Sequence, residues 1–553
     1  MGTRACRSLT TINNDRCPNS SVLLVQQADG PERTESAKRG LVGIDYNSAY
    51  FDTTVQRVAL IMDRPSMRTV LRILSATVLF SAAGIYEAVH ASALLNGDIW
   101  WHLRTGIWIL QNHAVPHTGL FSQYSDLPWI ASSWGFDVLL ATAYRVCGLR
   151  SIPLLLMAFK VALAVVTFLL ARVGRVNFWS AVLLSILAQY VIAGLQPAPA
   201  TLSILFFGVE LILLLRSLRC GSLSNLFLLP PLFLLWANLH VQFIYGLLLL
   251  CILLIALSLE RILLGLGVTW TSNLSRPLPL AKVFGLAGLS VLCTLANPYS
   301  FRIYAVIPRV LYSDVSFQYF ADMHSMSFRR PSEFALMLLV MAAFFALGRN
   351  RPPNLFELLA LCAGAAVAFR IQRDVWLAVL PAIAILGSGL HFGERPPTSV
   401  SDPGQQWEKP LTAVMVVAVL AVAVFRLPGK NALMAKISQN YPVKACDFIL
   451  NNHLPQPLFN SYSWGGFLAW YLPEYPVVVD SRVELYGDEI LGRYFLVIGG
   501  KEKIESDSRL AAARTLLLEQ GSAMATAMVK LPSLSSRYRM VYSDDSACVF
   551  VQE

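Results

Sequence analysis

Apolar runs of about 17 to 25 residues recur along this chain. A bilayer core takes about 20 helical residues to cross, so the runs fit membrane helices better than a large soluble core. Lipid offers no hydrogen bonds to a backbone, which leaves the helix as the form such runs can adopt. The composition agrees: 55% of the 553 residues are hydrophobic and 14% are charged, against about 25% charged in an ordinary soluble protein. The expected fold class is a polytopic α-helical membrane protein with a small C-terminal α/β soluble domain.

The runs place spans at about 70–95, 151–171, 177–195, 200–216, 223–239, 241–260, 279–297, 332–348, 353–369, 374–391 and 410–427, eleven in all. Segment 134–148, WGFDVLLATAYRVCG, is short for a span and is read as a helix lying on the outer surface, with a twelfth span as the alternative. The positive-inside rule decides between them. Arg64, Arg68 and Arg72 put the N-terminal side in the cytoplasm. With 134–148 outside, Arg172/Arg175, Arg216/Arg219, Arg261 and Arg349/Arg351 all fall on the cytoplasmic side, so eleven spans are preferred. The chain then divides into a tail at 1–66, a transmembrane domain at 67–427 with an outer loop at 96–150, and an extracytoplasmic α/β domain at 428–553. The tail is polar, lacks the pattern of a cleaved signal peptide and predicts disorder. It reads as a cytoplasmic extension or as an over-long start, with Met62 or Met67 as the initiator.

The net charge of +10 is not a nucleic-acid signal, because the Arg residues sit mostly at helix ends. The nine Cys form no CxxC or Cys/His metal spacing. Only Cys446 and Cys548 fall in the C-terminal region, where a disulfide is an open option. No nucleotide-binding loop, GxSxG or HExxH occurs.

The stretch GDIWWHLRTGIWILQNHAVPHTG, residues 97–119, packs an Asp, an Arg, three His and three Trp beside the first span. Asp98 suits a general base, since a carboxylate among Trp residues at a membrane boundary is partly desolvated and its pKa rises. From residue type alone it suits, better than a base, a cap that starts the helix IWWHLRTGIWIL. His102 and His117 suit a metal, a proton shuttle or Trp-rich packing; His113 reads as a solvated loop residue. On the same predicted face lie Arg104, Gln196, His240, Asn297, Arg370, Arg373 and Asp374. Arg329/Arg330 and Arg370/Arg373 stand there against the positive-inside bias, which an anionic ligand would explain. Arg370 and Arg373, spaced i and i+3, share a face if that segment is helical, and guanidinium forks suit phosphate oxygens. Snorkelling to lipid headgroups is the other reading. Lys160 and Glu210 lie within spans, as functional groups or as members of an interhelical ion pair.

In the C-terminal region, YPVKACDFILNN predicts a helix. PLFNSYSWGGFLAWYLPEYPVVVDSRVELYGDEILGRYF predicts a strand, a turn at Gly465/Gly466, aromatic strands and a helix. RMVYSDDSACVFV predicts a terminal hairpin around Ser543–Ser546. Asp480, Arg482, Glu484, Tyr486 and Asp488, with Trp464 and Trp470, suit either sugar binding or internal pairing and packing.

The run NGDIWWHLRTGIWILQNHAVPHTGLFS…PWIASSWGFDVLL resembles the first outer loop of bacterial membrane proteins of the GT-C glycosyltransferase superfamily. LLWANLHVQFIYGLLLL, TLANPYSFRIY, SFRRPSEFALM, FRIQRDVWLAVLPAIAIL and the FNSYSWGGFLAW…VVVDSRVELYGDE tail follow in the same order. The likeness runs from about residue 70 to the end and extends to aminoarabinose and protein mannosyl transferases. It implies an enzyme of the bacterial cytoplasmic membrane that moves sugar from a polyprenyl-phosphate donor to an extracytoplasmic lipid, glycan or protein acceptor. Carried over, Asp98 is the catalytic base candidate. Arg370 and Arg373 are the donor-phosphate candidates, and His102, Arg104, His117 and His240 complete the expected substrate-binding set. Asn96 stands where an Asp is common in the family, Gly119 replaces the Asp of PHTD, and Gly135 or Ser133 stands where Glu is frequent, with Asp137 nearby. These losses weaken a metal-dependent reading; no metal ligand is assigned, and a divalent cofactor stays open. The alternative is a non-catalytic binding or transport protein for lipid-linked glycans. The two similar halves expected of a transporter are not evident.

Overall fold

A computed structural model describes residues 67–174, 176–192, 194–268, 278–349, 354–389 and 405–553. The expectations for the tail at 1–66 and for Arg175 and Arg351 fall outside these residues. Helices occupy every predicted span. They are α1 (Met67–His90), α4 (Ser151–Val173), α5 (Phe178–Val191), α6 (Pro199–Cys220), α7 (Leu229–Leu239), α8 (Phe243–Gly265), α9 (Leu280–Thr294), α12 (Pro331–Arg349), α13 (Leu355–Arg370), α14 (Trp376–Gly389) and α15 (Gln405–Phe425). Between them lie α2 (Asp98–Asn112), α3 (Trp134–Cys147) and the short α10 (Val306–Leu311) and α11 (Asp314–Tyr319). Among the described residues six helical stretches are long and apolar enough to cross a membrane, the sequence Trp134–Val173 counted as one. Gly148, at φ +57° and ψ −143°, breaks helical geometry within that stretch and separates α3 from α4.

The bundle is built around α14. Its segment WLAVLPAIAIL is apolar on every side, and such a helix is stable only when enclosed; every residue from Trp376 to Gly387 is buried. Small residues allow the close approach. A Cβ on Gly364 of α13 would stand 2.1 Å from the Leu377 carbonyl oxygen, and one on Gly387 would stand 2.3 Å from that of Ala171 in α4. At the periphery Phe345 and Phe425 are exposed, as lipid-facing side chains are. Lys160 of α4 pairs with Glu87 of α1 at 3.2 Å. Among the described residues both carboxylate oxygens of Glu210 are buried without a hydrogen-bond partner, and the ion pair open to Lys160 is made with Glu87.

After α15 come α16 (Lys430–Ile437), α17 (Val443–Asn451), β1 (Leu458–Asn460), α18 (Gly465–Tyr471), α19 (Val483–Ile498), α20 (Ser508–Ala511), β2 (Thr515–Glu519), α21 (Ala523–Lys530), α22 (Pro532–Ser535), β3 (Tyr538–Ser543) and β4 (Ala547–Gln552). The sheet order is β1-β2-β4-β3. β1 runs parallel to β2 and the other two pairings are antiparallel, with Leu516 opposite Phe550. The helix at 443–451 and the terminal hairpin are as expected. The aromatic strands are not: GGFLAWY forms α18, and Gly465 and Gly466 open that helix rather than make a turn. They are small because backbone passes close by. A Cβ would stand 2.2 Å from the Val479 carbonyl oxygen at Gly465 and 2.4 Å from that of Gly97 at Gly466. Cys446 and Cys548 are buried free thiols, not a disulfide.

The loop after α2 docks on this sheet-bearing region. Gln123 N–H donates to the Val477 carbonyl (2.9 Å) and Val477 N–H to that of Phe121 (3.0 Å). Trp129 Nε1 donates to Glu484 (3.2 Å), and the Ser313 hydroxyl donates to Asp488 (2.6 Å).

Candidate functional site

Helix α2 places the first candidate. Asn96 Oδ1 accepts the backbone N–H groups of Asp98 (2.9 Å) and Ile99 (3.0 Å). That is the work of an N-cap side chain, which satisfies donors the first helical turn leaves orphaned. The cap is therefore Asn96, and the reading of Asp98 as the cap is corrected. The Asp98 carboxylate instead lines, with Ser481, a polar cleft of about 640 Å³ between the start of α2 and the sheet-bearing region. Burial raises its pKa. The neighbouring Ser481 hydroxyl and His102 pull it partly back, and Asp322 and Asp480 push it up. Trp101 Nε1 donates to Ser481, at 3.1 Å.

One turn along α2, on the same face, His102 is buried with its Nδ1 2.6 Å from Asp137 Oδ1 of α3. The Trp101 ring stacks on it with centroids 3.6 Å apart. The α2–α3 approach that makes this contact needs Gly106, where a Cβ would stand 1.9 Å from the Asp137 carbonyl oxygen. His240, just after α7, shares a 2.8 Å hydrogen bond between Nδ1 and the Ser203 hydroxyl, which also accepts from Trp236 Nε1 at 2.8 Å. Burial pushes His240 down to about 3, with the charges of Arg373 and His102 acting in the same direction. The imidazole is thus neutral at ordinary pH. Asp98, His102, His240 and Arg373 form a series in which each group feels the next electrostatically.

Arg373 stands at the edge of a second cavity. This groove of about 710 Å³ is walled by apolar side chains of α8, α9 and α10, among them Leu248, Phe284 and Ile307. Its polar end is made by Arg373, Gln242 and Asp374. Asp374 is buried and accepts from Tyr245 Oη (2.6 Å) and Gln242 Nε2 (3.2 Å). Its carboxylate lies 4.0 Å from Arg373 Nε, which is exposed. The expected Arg pair does not form one helical face. α13 ends at Arg370 and Ile371 is extended, at φ −133° and ψ 109°, so Arg370 is exposed outside the groove lining.

The remaining candidates sit apart. Arg104 stacks over Phe121 with its guanidinium carbon 4.9 Å from the ring centroid, and burial lowers its pKa. Phe121 is held at φ +69°. His117 is exposed and meets Tyr299 edge-on at 5.3 Å. Neither Arg104 nor His117 lines the cleft or the groove. In the tail, Arg482 and Asp480 are fully buried and bonded to each other, with Arg482 over the Trp129 ring at 4.7 Å. Trp470 packs on Trp100. Asp480, Arg482 and Trp470 thus make internal pairing and packing, whereas Trp464 lines the polar cleft. Sequence reasoning missed Ser481, whose only signal was its place between Asp480 and Arg482, and Asp322, which lies in a loop without an evident motif. Among the described residues no group of three or more His, Cys, Asp or Glu is arranged to hold a metal ion.

No sequence-family description matches the chain, and no curated protein matches it. Solved structures do. An oligosaccharyltransferase from Archaeoglobus fulgidus, in its apo form, aligns over 88% of this chain and 75% of its own with a TM-score of 0.51 at 11% identity. ArnT from Cupriavidus metallidurans bound to undecaprenyl phosphate aligns over 86% and 97% with a TM-score of 0.44 at 14% identity. The same protein in its apo state gives 91%, 98%, 0.40 and 14%. At these identities the likeness to the oligosaccharyltransferase is one of fold.

Proposed function

Starting from a chain with the fold of the GT-C membrane glycosyltransferases, we propose that it transfers a sugar from a polyprenyl-phosphate-linked donor to an acceptor outside the cytoplasm. The observation that carries this reading is the pairing of two cavities. An apolar groove ends on Arg373, which suits a lipid with an anionic head. A separate polar cleft opens on Asp98, whose carboxylate is released from capping by Asn96. His102 and His240 stand electrostatically between them.

Each part then has a task. The groove takes the first isoprene units, and Arg373 holds the phosphate and offsets the charge it gains as the leaving group. The acceptor's hydroxyl or amine attacks the anomeric carbon from the side of Asp98. The bond from that carbon to the phosphate oxygen breaks, and the acceptor proton passes to the Asp98 carboxylate. A pKa above the ordinary Asp value makes Asp98 a stronger base than a solvated Asp. One displacement of this kind inverts the anomeric configuration. Neutral His240 can donate or accept a hydrogen bond beside Arg373 without repelling the phosphate. In this reading the region from about 428 onward faces outside the cytoplasmic membrane.

The test is transfer of labelled sugar from a panel of polyprenyl-phosphate sugars by the purified protein in lipid, beside Asp98→Asn. Transfer lost in the variant, with donor binding kept, supports the reading. Donor binding without transfer by the native chain would point instead to a binding protein for lipid-linked glycans.

A further inference from the structure

The cleft at Asp98 has a chemistry that the transferase reading does not by itself predict. Lys and Arg outnumber Asp and Glu in this chain by 44 to 34, yet among the described residues no Lys, Arg or His lines the cleft. Its two ionisable acids are Asp98 at one wall and Glu519 at the other. Glu519 ends β2, the central strand of the sheet, and is fixed from both ends. Its N–H donates to the Ser461 hydroxyl at 3.2 Å, and its Oε1 accepts from the Ser463 hydroxyl. Ser463 in turn abuts Gly97, the residue before Asp98, its carbonyl oxygen 3.4 Å from where a Gly97 Cβ would stand. Ser463 thus links the Glu519 side of the cleft to the residue before Asp98. Glu519 is exposed, and its Oε2 forms no bond among the described residues.

We propose that this cleft is the acceptor subsite, and that it takes the uncharged, hydroxyl-rich end of a glycan, with Glu519 as a residue that determines specificity. The proposal rests on the transferase reading for the word acceptor; the ligand class rests on the cleft. A phosphate or uronate entering a cleft whose charged lining is two carboxylates is disfavoured, in contrast to the Arg373 end of the groove. An ammonium group would satisfy the carboxylates but only donates hydrogen bonds. The amides of Asn440 and Gln520, which also line the cleft, both donate and accept, and the Ser546 hydroxyl, which donates to Asp544, is left to accept. Sugar hydroxyls match that mixture, since each of them both donates and accepts.

The experiment uses full-length protein in lipid nanodiscs carrying Ser546→Cys, with labelling at that position read by peptide-resolved mass spectrometry. A cationic methanethiosulfonate should react about five- to tenfold faster than its anionic counterpart, and Glu519→Gln should lower the ratio, with Asp544 beside the label keeping the remainder. A panel of neutral oligosaccharides should slow labelling, with the oxidised uronate forms of the same sugars failing to do so. Equal rates for the two reagents, protection by the uronates, or protection by no neutral member of the panel overturns the proposal. A Tm unchanged by Glu519→Gln separates loss of charge from loss of fold. The labelling needs no turnover. Protection without transfer from any polyprenyl donor would retire the transferase reading and leave the glycan cleft standing. Transfer with an acceptor KM indifferent to Glu519→Gln would do the reverse.

Discussion

His102 Nδ1 and Asp137 Oδ1 lie 2.6 Å apart, both side chains buried between α2 and α3. The carboxylate fixes the orientation of the imidazole and leaves Nε2 as the nitrogen available to other partners. Asp137→Ala would leave Nδ1 buried and unpaired, at a cost of about 1–3 kcal/mol. We expect a lower Tm, and a loss of transfer larger than the loss of folded protein. Asp137→Asn keeps an acceptor oxygen and should recover most of the Tm. Thermal unfolding of both variants, with transfer assayed on the folded fraction, checks this. Equal Tm for the two substitutions would show that the contact does not hold α2 in place.

The raised pKa of Asp98 predicts where transfer fails on acidification. A base works while ionised, so activity is present above its pKa and lost as pH falls through it. Because burial lifts that pKa above the ordinary Asp value, the acid limb of kcat should lie higher than for a solvated Asp. The Ser481 hydroxyl beside the carboxylate lowers its pKa. Ser481→Ala should therefore move the limb further towards neutral pH while the plateau rate changes less. A limb that stays in place, or moves to lower pH, would separate Asp98 from the proton transfer.

The bundle was legible because each helix that meets lipid carries its own apolar run, and every predicted stretch contains one. What failed to show locally was decided by distant contacts. GGFLAWY has the aromatic content of a strand, but its two glycines meet Gly97 and Val479 across the fold and it is helical. TLLLE, the central strand β2, is too short for its period to distinguish strand from helix. Asp98 was found as a candidate. Its release from capping required seeing Asn96 turn back onto the helix, and its neighbour Ser481 lies 383 residues away in the chain. Arg370 and Arg373 looked equivalent in the sequence, and the end of α13 between them makes them different.

That difference is itself a prediction. Arg373 borders the apolar groove and Arg370 does not line it. A charge-assisted bond to phosphate contributes roughly 1.5–3 kcal/mol, so Arg373→Ala should weaken donor binding by about 10- to 100-fold. Arg370→Ala should fall within about threefold of the native chain, the scale of a screened surface charge. Titration with a polyprenyl phosphate lacking sugar measures both without requiring turnover. Equal losses for the two would return the pair to a shared phosphate site.

Topology gives a further expectation. If the region from about 428 faces outside, Ser546→Cys should react with an impermeant thiol reagent applied to the outer face of intact cells. A cysteine introduced at Arg172 should react only after permeabilisation. Both sites reacting from the same side would overturn the arginine-based orientation, because the number of crossings between them would then have the opposite parity.

Gly466 tests whether the tail holds the site together. α18 approaches α2 so closely that a Cβ on Gly466 would stand 2.4 Å from the Gly97 carbonyl oxygen and 3.2 Å from the Trp101 ring. Backbone cannot yield that distance, so Gly466→Ala must push α18 away from the first turn of α2. Asp98 and Ser481 sit on opposite sides of that junction. We therefore expect Gly466→Ala to reduce kcat by 10-fold or more, about what a 1 Å displacement of a catalytic group entails, while donor binding at the Arg373 groove stays near native. Gly429→Ala is the control, since a Cβ there meets nothing within 4 Å. A Gly466→Ala protein with native kcat would mean that the sheet-bearing region does not position Asp98. Loss of donor binding along with kcat would mean that the two cavities are mechanically one.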